Sequence, residues 1–176
     1  MGKKLAILVM EDDPEIASLY SQVLNNRGHE VTIMLLGEDC LQIYTDRLQE
    51  LYAKKPDLPE GQQFDAVILD YKMPGRNGLK VAKEILTINP HQRIILASAY
   101  LEQTLIDAIK ELSVPIEVLE KPISNKRLVD TIEDTETYNE LKKLHLDIEP
   151  FERACLSHEL LKKILDILRK KGKDAY

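Results

Sequence analysis

The chain is poor in cysteine, with only Cys40 and Cys155 in 176 residues. The two lie far apart and form neither a CxxC pair nor the spacing of a metal site. We therefore expect two small apolar side chains rather than a disulfide or a thiolate metal centre. A surplus of basic residues is also lacking, since the formal net charge is -6. This charge disfavours a protein whose main surface binds nucleic acid.

Long apolar runs are lacking as well. The apolar run after Lys3 and Lys4 is soon followed by three acids, which makes it too short for a secretory signal. No later segment has the length and apolarity needed to cross a bilayer. Hydrophobic residues still make up 44% of the chain, enough to bury a core. These features predict a soluble cytoplasmic protein with no membrane partner.

What the sequence does contain is an alternation of apolar runs and amphipathic segments. Continuous apolar runs are typical of strands in parallel sheets, because such strands are buried on both faces. Four runs of this kind and a weaker one, Glu30–Leu35, predict five strands. The other four are Leu5–Met10, Ala66–Leu69, Arg93–Ala97 and Ile116–Leu119. Strands that alternate with helices predict an α/β fold with a parallel sheet covered on both faces.

Each helical segment carries an apolar stripe. The first helix is predicted to begin at Pro14 with Asp13 as its N-cap, since proline suits the first helical position. The third is predicted to end near Asn89 and Pro90. The predicted stripes are Ile16, Leu19, Tyr20 and Val23 in helix one; Leu41, Tyr44, Leu48 and Leu51 in helix two; Leu79, Ala82, Ile85 and Leu86 in helix three; and Leu105, Ala108, Ile109 and Leu112 in helix four.

Polar residues stand at the carboxyl ends of four predicted strands. They are Glu11 and Asp12 after strand one, Asp70 after strand three, Ser98 after strand four and Lys121 after strand five. In open parallel sheets this edge is where ligands bind. A cluster of carboxylates favours a hard divalent cation with oxygen ligands. One carboxylate beside that cation could act as a nucleophile toward a phosphoryl group.

This constellation resembles the receiver domain of two-component response regulators. The residues that carry the resemblance are Glu11-Asp12, Asp70 in Asp-x-x-Met-Pro-Gly followed by Asn77-Gly78, Ser98 in Ala-Ser-Ala, and Lys121-Pro122. The resemblance covers roughly residues 3 to 134. It implies a flavodoxin-like, doubly wound five-stranded parallel sheet in the order 2-1-3-4-5. We predict a receiver domain over residues 1–134 and a helical C-terminal extension over residues 135–176.

The resemblance also implies a magnesium site. Asp12 would bind Mg²⁺ directly, Glu11 would bind it directly or through water, and Asp70 would complete the carboxylate set. The backbone carbonyl of Lys72 occupies the position from which the family supplies another ligand. Asp13 competes for a ligand role, but the N-cap role is preferred for it. Sparse oxygen ligands suit Mg²⁺, which keeps several of its waters.

Phosphoryl transfer is the activity that the resemblance implies. Asp70 would be the phosphoacceptor, taking the phosphoryl group from a histidine kinase or a histidine phosphotransfer protein. Lys121 would pair with a phosphoryl oxygen, and its bond to Pro122 is expected to be cis. Ser98 would move to hydrogen-bond the phosphoryl group and so couple modification to the loop after strand four. The protein would not be an enzyme beyond assisting its own phosphorylation and dephosphorylation.

Two features depart from the usual pattern of the family: the residue at position 118 and the length of the segment before strand three. Val118 stands where many receivers have a rotating tyrosine or phenylalanine, which puts an aromatic switch of the usual kind in doubt. Tyr100 is the nearest aromatic candidate for shielding the site, and Lys72, two residues after Asp70, occupies another position facing the site. These two residues are therefore predicted to set the lifetime of the aspartyl phosphate. The segment from Thr45 to Gln63 is longer than usual, which predicts a lengthened second helix and a surface loop, or a partner contact.

Two alternatives from other classes remain. One is a structural adaptor with a receiver fold that never takes up phosphate. The other is a phosphatase of the haloacid-dehalogenase type, which also uses an aspartyl phosphate. That class expects a second acid two residues after its nucleophile, where this chain has Lys72.

The sequence of the C-terminal region predicts helices, but it does not predict a DNA-binding domain. Residues 124–134 predict a fifth helix with Leu128, Val129 and Ile132 on its apolar face. The rest is too short for a winged helix and lacks a basic recognition helix, so output through protein contacts, with a possible homodimer, is expected. One or two amphipathic helices are predicted over Thr135–Ile148 and Phe151–Lys171, split near Pro150, and they must pack on the receiver, a second copy or a partner. His158 resembles part of a kinase phosphoacceptor box, but a helix-seam histidine is preferred.

Overall fold

In a computed structural model of the chain, strands and helices alternate in the predicted order. The structure describes residues 3–54, 63–100, 102–110, 112, 116–143 and 162–163. The elements are β1 (Ala6–Met10), α1 (Pro14–Asn26), β2 (Glu30–Met34), α2 (Gly37–Lys54), β3 (Ala66–Asp70), α3 (Gly78–Ile88), β4 (Ile94–Ser98), α4 (Gln103–Lys110), β5 (Glu117–Glu120), α5 (Asn125–Glu133) and α6 (Thr135–Lys143).

The five strands form one parallel sheet in the order β2-β1-β3-β4-β5. This confirms the predicted fold class and strand order. Its strand order reverses beside β1 and β3, which is where doubly wound folds bind their ligands. Within the register, Met10 lies opposite Leu69 and Asp70 lies opposite Ala97. The carboxyl ends of β1, β3 and β4 are therefore level with one another.

Two hydrophobic clusters cover the two faces of the sheet. Alternate strand residues such as Leu8 and Leu69 pack with α2, α3 and α4 on one face. Their neighbours in the chain, such as Val9 and Ile68, pack with α1 and α5 on the other face. Each fully buried leucine or isoleucine contributes about 1.5–3 kcal/mol. Because both faces are covered, these strands read as continuous apolar runs rather than alternating ones.

Side-chain caps fix where three helices begin. The Asp13 carboxylate accepts hydrogen bonds from the backbone N–H groups of Glu15 (2.8 Å) and Ile16 (3.2 Å), and Pro14 follows it as predicted. In the same way, Asn77 caps α3 and Ser124 caps α5. An N-cap of this kind contributes about 1 kcal/mol. The preferred N-cap role of Asp13 is thus the one that the structure shows.

The predicted apolar stripe of α1 was wrong at one position. Leu19 is 42% exposed, whereas Ala17, Tyr20 and Leu24 form the buried face. Successive helical residues are rotated by about 100°, so a stripe centred on Tyr20 turns its immediate neighbour toward solvent.

The second helix is long, as predicted, and runs to Lys54. Its fully buried side chains are those of Cys40 and Tyr44, while Leu48 and Leu51 are only half-buried. The predicted loop after this helix falls on residues 55–62, which lie outside the described residues. None of the helices in the described part of the chain is long and apolar enough to cross a membrane.

A buried ion pair fastens the amino-terminal edge of the sheet to the helices that follow it. Arg93, just before β4, donates to Glu117 at the start of β5 through Nε (2.6 Å) and Nη2 (3.1 Å). Its Nη2 also donates to the carbonyl of Thr131 (2.6 Å), and its guanidinium lies 5.1 Å from the Tyr138 ring centroid. Both charged side chains are 2% exposed. The start of α6 therefore packs on the sheet domain itself.

The remainder of the predicted extension cannot be compared with the structure. Residues 144–161 and 164–176, including His158 and Cys155, lie outside the described residues. Lys162 is described and pairs with Asp134 at 2.8 Å.

Candidate functional site

Three carboxylates meet at the carboxyl edge of the sheet. Glu11 follows β1, Asp12 comes next, and Asp70 is the last residue of β3. One ligand oxygen from each lies within 4.8 Å of the others. Glu11 and Asp70 are only 2% and 6% exposed, whereas Asp12 is exposed to solvent. The structure thus brings together the acidic residues that the sequence singled out.

Asp70 and Ser98 belong to their strands instead of following them, which corrects the predicted strand ends. The backbone of Asp70 pairs with Ala97, and that of Ser98 pairs with Glu120. A ladder continues for as long as neighbouring strands offer partners, so polarity of the side chain does not end a strand. This backbone pairing holds both residues in a fixed position.

Lys121 joins two of the carboxylates. Its ammonium lies 2.7 Å from Glu11 Oε2 and 2.7 Å from Asp70 Oδ2. The backbone N–H of Lys121 donates to the carbonyl of Ser98 at 2.8 Å, and its bond to Pro122 is cis, as expected. When the three carboxylates and this ammonium are all ionised, the group carries a net charge of -2.

Burial and charge shift the pKa values of Glu11 and Lys121. Burial raises the pKa of Glu11 and the nearby Asp70 charge adds to this, which together outweigh the hydrogen bond from Lys121. Burial opposes the charged form of Lys121, but hydrogen bonds to Asp70 and Glu11 outweigh it and raise the pKa of Lys121. Lys121 therefore keeps its positive charge at neutral pH, where it can balance only part of the acidic cluster.

The loop after β3 wraps around Asp70. The backbone N–H of Lys72 donates to Asp70 Oδ1 at 3.2 Å. Below it, Gly78 begins α3 so close to the Asp70 carbonyl that a Cβ at this position would lie 2.3 Å from the carbonyl oxygen. Only glycine allows this approach, which explains the Asn77-Gly78 pair.

Two side chains at this edge are bound by the loop after β4. The Ser98 hydroxyl, which is buried, donates to the carbonyl of Tyr100 at 2.7 Å. The Lys72 ammonium donates to Glu102 Oε1 at 3.0 Å and lies 5.8 Å from the centroid of the Tyr100 ring. The Ser98 hydroxyl and the Lys72 ammonium are thus both hydrogen-bonded to the loop after β4 in this state.

Glu102 is the site neighbour that the sequence reasoning missed. The available signal was an acid four residues after Ser98, directly before α4, where N-terminal acids are common. The Val118 side chain is buried in the hydrophobic cluster that packs against α2, α3 and α4.

The donor set fits a divalent cation. Three carboxylates supply hard oxygen ligands within bonding range of one centre, and the local charge of -2 is what one such ion would neutralise. The exposed Asp12 gives the ion access from solvent, while the buried Glu11 and Asp70 fix the geometry. The arrangement can hold a cation, present a nucleophilic carboxylate and bind an incoming anion through Lys121.

An open α/β sheet with a polar site at the carboxyl ends of its strands places this chain among the doubly wound folds, which bind their ligands at that edge. The family described as the response regulator receiver domain matches residues 7–133. The chain belongs to this family of two-component signalling domains. The predicted resemblance is confirmed, and family membership argues against the phosphatase alternative.

Matches to individual proteins of similar sequence support this family assignment. The chain is 31% identical over 106 residues to sporulation initiation phosphotransferase F of Bacillus subtilis, covering 60% of this chain and 73% of the relative. It is 29% identical over 134 residues to the chemotaxis protein CheY of Thermotoga maritima, covering 75% of this chain and 96% of the relative. It also matches longer transcriptional regulators, such as NtrC of Azospirillum brasilense, of which it spans 23%.

A solved structure supports the fold. The CheY-like receiver domain protein of Methanospirillum hungatei superposes with a TM-score of 0.62 over 81% of this chain and 99% of the other, at 20% identity. At this identity the likeness shows the fold alone.

Proposed function

We propose that this protein is a response regulator whose Asp70 accepts a phosphoryl group and whose modification changes its contacts with other proteins. The observation that carries the proposal is the pair of 2.7 Å contacts from Lys121 to Glu11 and Asp70. They leave an oriented carboxylate beside an ammonium at the exposed edge of the sheet. A phosphoryl group on Asp70 would find its counter-charge already in place.

The magnesium site is part of this proposal. Glu11, Asp12 and Asp70 would hold Mg²⁺ with the backbone carbonyl of Lys72, and the ion would neutralise the charge that develops on the phosphoryl oxygens. The Asp70 carboxylate would attack phosphorus as the bond to the donor nitrogen of a phosphohistidine breaks. Lys121 would move its hydrogen bond from Asp70 to a phosphoryl oxygen, and the proton needed by the leaving imidazole would come from solvent.

Ser98 is proposed to report the modification. Its hydroxyl would leave the Tyr100 carbonyl and donate to the phosphoryl group, which would draw the loop after β4 toward Asp70. Because Val118 cannot rotate between two faces as a tyrosine could, this loop would carry the signal instead.

The donor is proposed to be a histidine kinase or a histidine phosphotransfer protein. Receiver domains as a family take their phosphoryl group from such proteins, and the relative in Bacillus subtilis is itself called a phosphotransferase. The domain division at residue 134 also remains a proposal. It is supported by the extent of the family match, which ends at residue 133.

The direct test is incubation with acetyl phosphate and Mg²⁺, followed by intact mass measurement. We expect the wild type to gain one phosphoryl group and Asp70→Asn to gain none. Unmodified wild-type protein under conditions that phosphorylate another receiver domain would favour the non-switching adaptor.

The output is tested by molar mass in solution from light scattering, with and without Mg²⁺ and beryllofluoride. A change from monomer to dimer would show output through self-association. An unchanged mass with beryllofluoride bound at Asp70 would show a monomer that acts on another protein.

The lifetime of the aspartyl phosphate is proposed to depend on Lys72 and Tyr100. The Lys72 backbone contacts Asp70 and its ammonium lies 5.8 Å from the centroid of the Tyr100 ring, so the two side chains can limit the approach of water. We expect Lys72→Ala and Tyr100→Ala to change the rate of dephosphorylation, measured by loss of the phosphorylated mass. Equal rates for both variants and the wild type would refute this assignment.

A further inference from the structure

The Lys72 backbone contacts Asp70, whereas the Lys72 ammonium is paired with Glu102. The backbone N–H of Lys72 donates to Asp70 Oδ1 at 3.2 Å. Its ammonium instead donates to Glu102 at 3.0 Å, and 57% of the lysine side chain is exposed. A lysine stem has four flexible carbons, so the ammonium can reach a group on Asp70 once it is released.

Glu102 is fixed at the start of α4. Its backbone carbonyl accepts hydrogen bonds from the N–H groups of Leu105 (3.0 Å) and Ile106 (3.1 Å). The carboxylate is thereby presented across the gap between the loop after β4 and the loop after β3. The Lys72–Glu102 pair is a contact between the loop that carries the acceptor and the helix that follows Ser98.

A phosphoryl group on Asp70 would compete with Glu102 for Lys72. The group brings close to two negative charges and three acceptor oxygens. Glu102 disfavours a phosphoryl group on Asp70 in two ways. It binds the Lys72 ammonium, and it adds a negative charge of its own. Lys121 is different, because both of its partners, Glu11 and Asp70, belong to the site itself and, among the described residues, no outside carboxylate competes for it.

We infer that Glu102 is a positioning residue that restrains Lys72 and thereby weakens the hold of the site on a phosphoryl group. The inference rests on the proposed function of Asp70 as phosphoacceptor. It assigns regulation of that site to the opening of one ion pair. On modification, Lys72 leaves Glu102 for the phosphoryl oxygens, and the start of α4 is freed from the β3–α3 loop.

The test is the affinity for beryllofluoride in the presence of Mg²⁺, measured by ¹⁹F NMR titration of the full chain. We expect Glu102→Gln to bind beryllofluoride about two- to fivefold more tightly than the wild type, the scale set by an exposed ion pair. The substitution preserves the size of the side chain and leaves the backbone hydrogen bonds at the start of α4 in place.

The same substitution in a protein without Lys72 distinguishes two effects: release of the Lys72 ammonium, and direct repulsion of the phosphoryl group by the Glu102 charge. In Lys72→Met protein, adding Glu102→Gln should leave the affinity unchanged, since no ammonium remains to be released. Glu84→Gln is the matched control: Glu84 in α3 forms a comparable exposed pair with Arg76 at 2.7 Å that involves neither Lys72 nor Asp70, and its loss should not alter the affinity.

Three results would overturn the inference. An unchanged or weaker affinity in Glu102→Gln would do so, and so would an equal gain in the Lys72→Met background, which would mean that Glu102 acts by its own charge. Failure of the wild type to bind beryllofluoride at all would refute the proposed function, and this inference with it.

Discussion

The two edges of the sheet each place a cation between a buried carboxylate and its neighbours. At the amino-terminal edge, Arg93 makes two hydrogen bonds to Glu117 and one to the carbonyl of Thr131, and both charged side chains are 2% exposed. At the carboxyl edge, Lys121 faces Glu11, Asp70 and the adjacent, exposed Asp12. The first arrangement matches one cation to one carboxylate, whereas the second retains excess negative charge.

This difference separates a structural ion pair from a site built to bind. A planar guanidinium can pair with a carboxylate and with backbone carbonyls at the same time, so the Arg93 edge needs no partner from solvent. We call it the closed edge. A single ammonium cannot neutralise three carboxylates, so the Lys121 edge, called the open edge below, gains from a bound cation. The following predictions compare the same kind of change at the two edges.

The largest effect is expected at the closed edge. Arg93→Met would leave Glu117 buried without its cation and would lower the free energy of unfolding by about 3–5 kcal/mol. Urea denaturation followed by circular dichroism measures this. Adding Glu117→Leu should restore much of the loss, because an apolar pair can replace a buried ion pair. A single variant as stable as the wild type would contradict the structural role of this pair.

The same change at the open edge should cost less. Lys121→Met would lower the free energy of unfolding by about 1–2 kcal/mol, since it removes two charged hydrogen bonds, while water can reach the carboxylates from the side of the exposed Asp12. Mg²⁺ should recover part of this loss in the same urea titration, and it should not do so for Arg93→Met. A loss as large as that of Arg93→Met would show that both edges are structural.

Magnesium should stabilise the wild type through the open edge. At ten times its dissociation constant, Mg²⁺ would add about 1.4 kcal/mol to the free energy of unfolding. The matched comparison is Asp12→Asn, which keeps the side-chain shape and should lose most of this gain. Thermal unfolding with increasing Mg²⁺ measures both proteins, and equal stabilisation of the two would remove Asp12 from the metal site.

The smallest effect concerns the pH dependence of stability, at the start of α6. Asp134 caps α6 by accepting from the Thr137 N–H at 3.0 Å. Burial opposes its charge, but the bonds from Lys162 and Thr137 lower its pKa to about 2 from 3.8. A lowered pKa gives stability that is present above pH 3.8 and lost as the pH falls toward 2. Asp134→Asn should lose less stability than the wild type across this range in urea titrations.

Local features of the sequence were sufficient for much of the fold. Strand positions followed from continuous apolar runs, and α1 began at Pro14 because Asp13 and proline act on neighbouring residues. Where the prediction failed, the cause was tertiary. Leu19 fits a helical stripe by spacing, yet the sheet contacts the face centred on Tyr20. Asp70 and Ser98 extend their strands because neighbouring strands offer pairing.

The candidate site divides in the same way. Glu11, Asp12, Asp70, Ser98 and Lys121 were found from residue type at strand ends, and the structure brings the carboxylates and the lysine together. Glu102 was missed because nothing near it in the chain indicates a partner 30 residues away. Arg93 and Glu117 lay within apolar runs, and only their pairing explains why charges are buried there.

The sequence by itself determined the order of strands and helices, their caps and the chemistry available at each strand end. These depend on hydrophobic pattern and on residues adjacent in the chain. Only the tertiary structure decided which charges meet. Lys121 contacts Glu11 across 110 residues and Asp70 across 51, because strand order and register bring three separate strand ends to one edge. The identity of a side chain is local, but its partner is set by how the sheet is assembled.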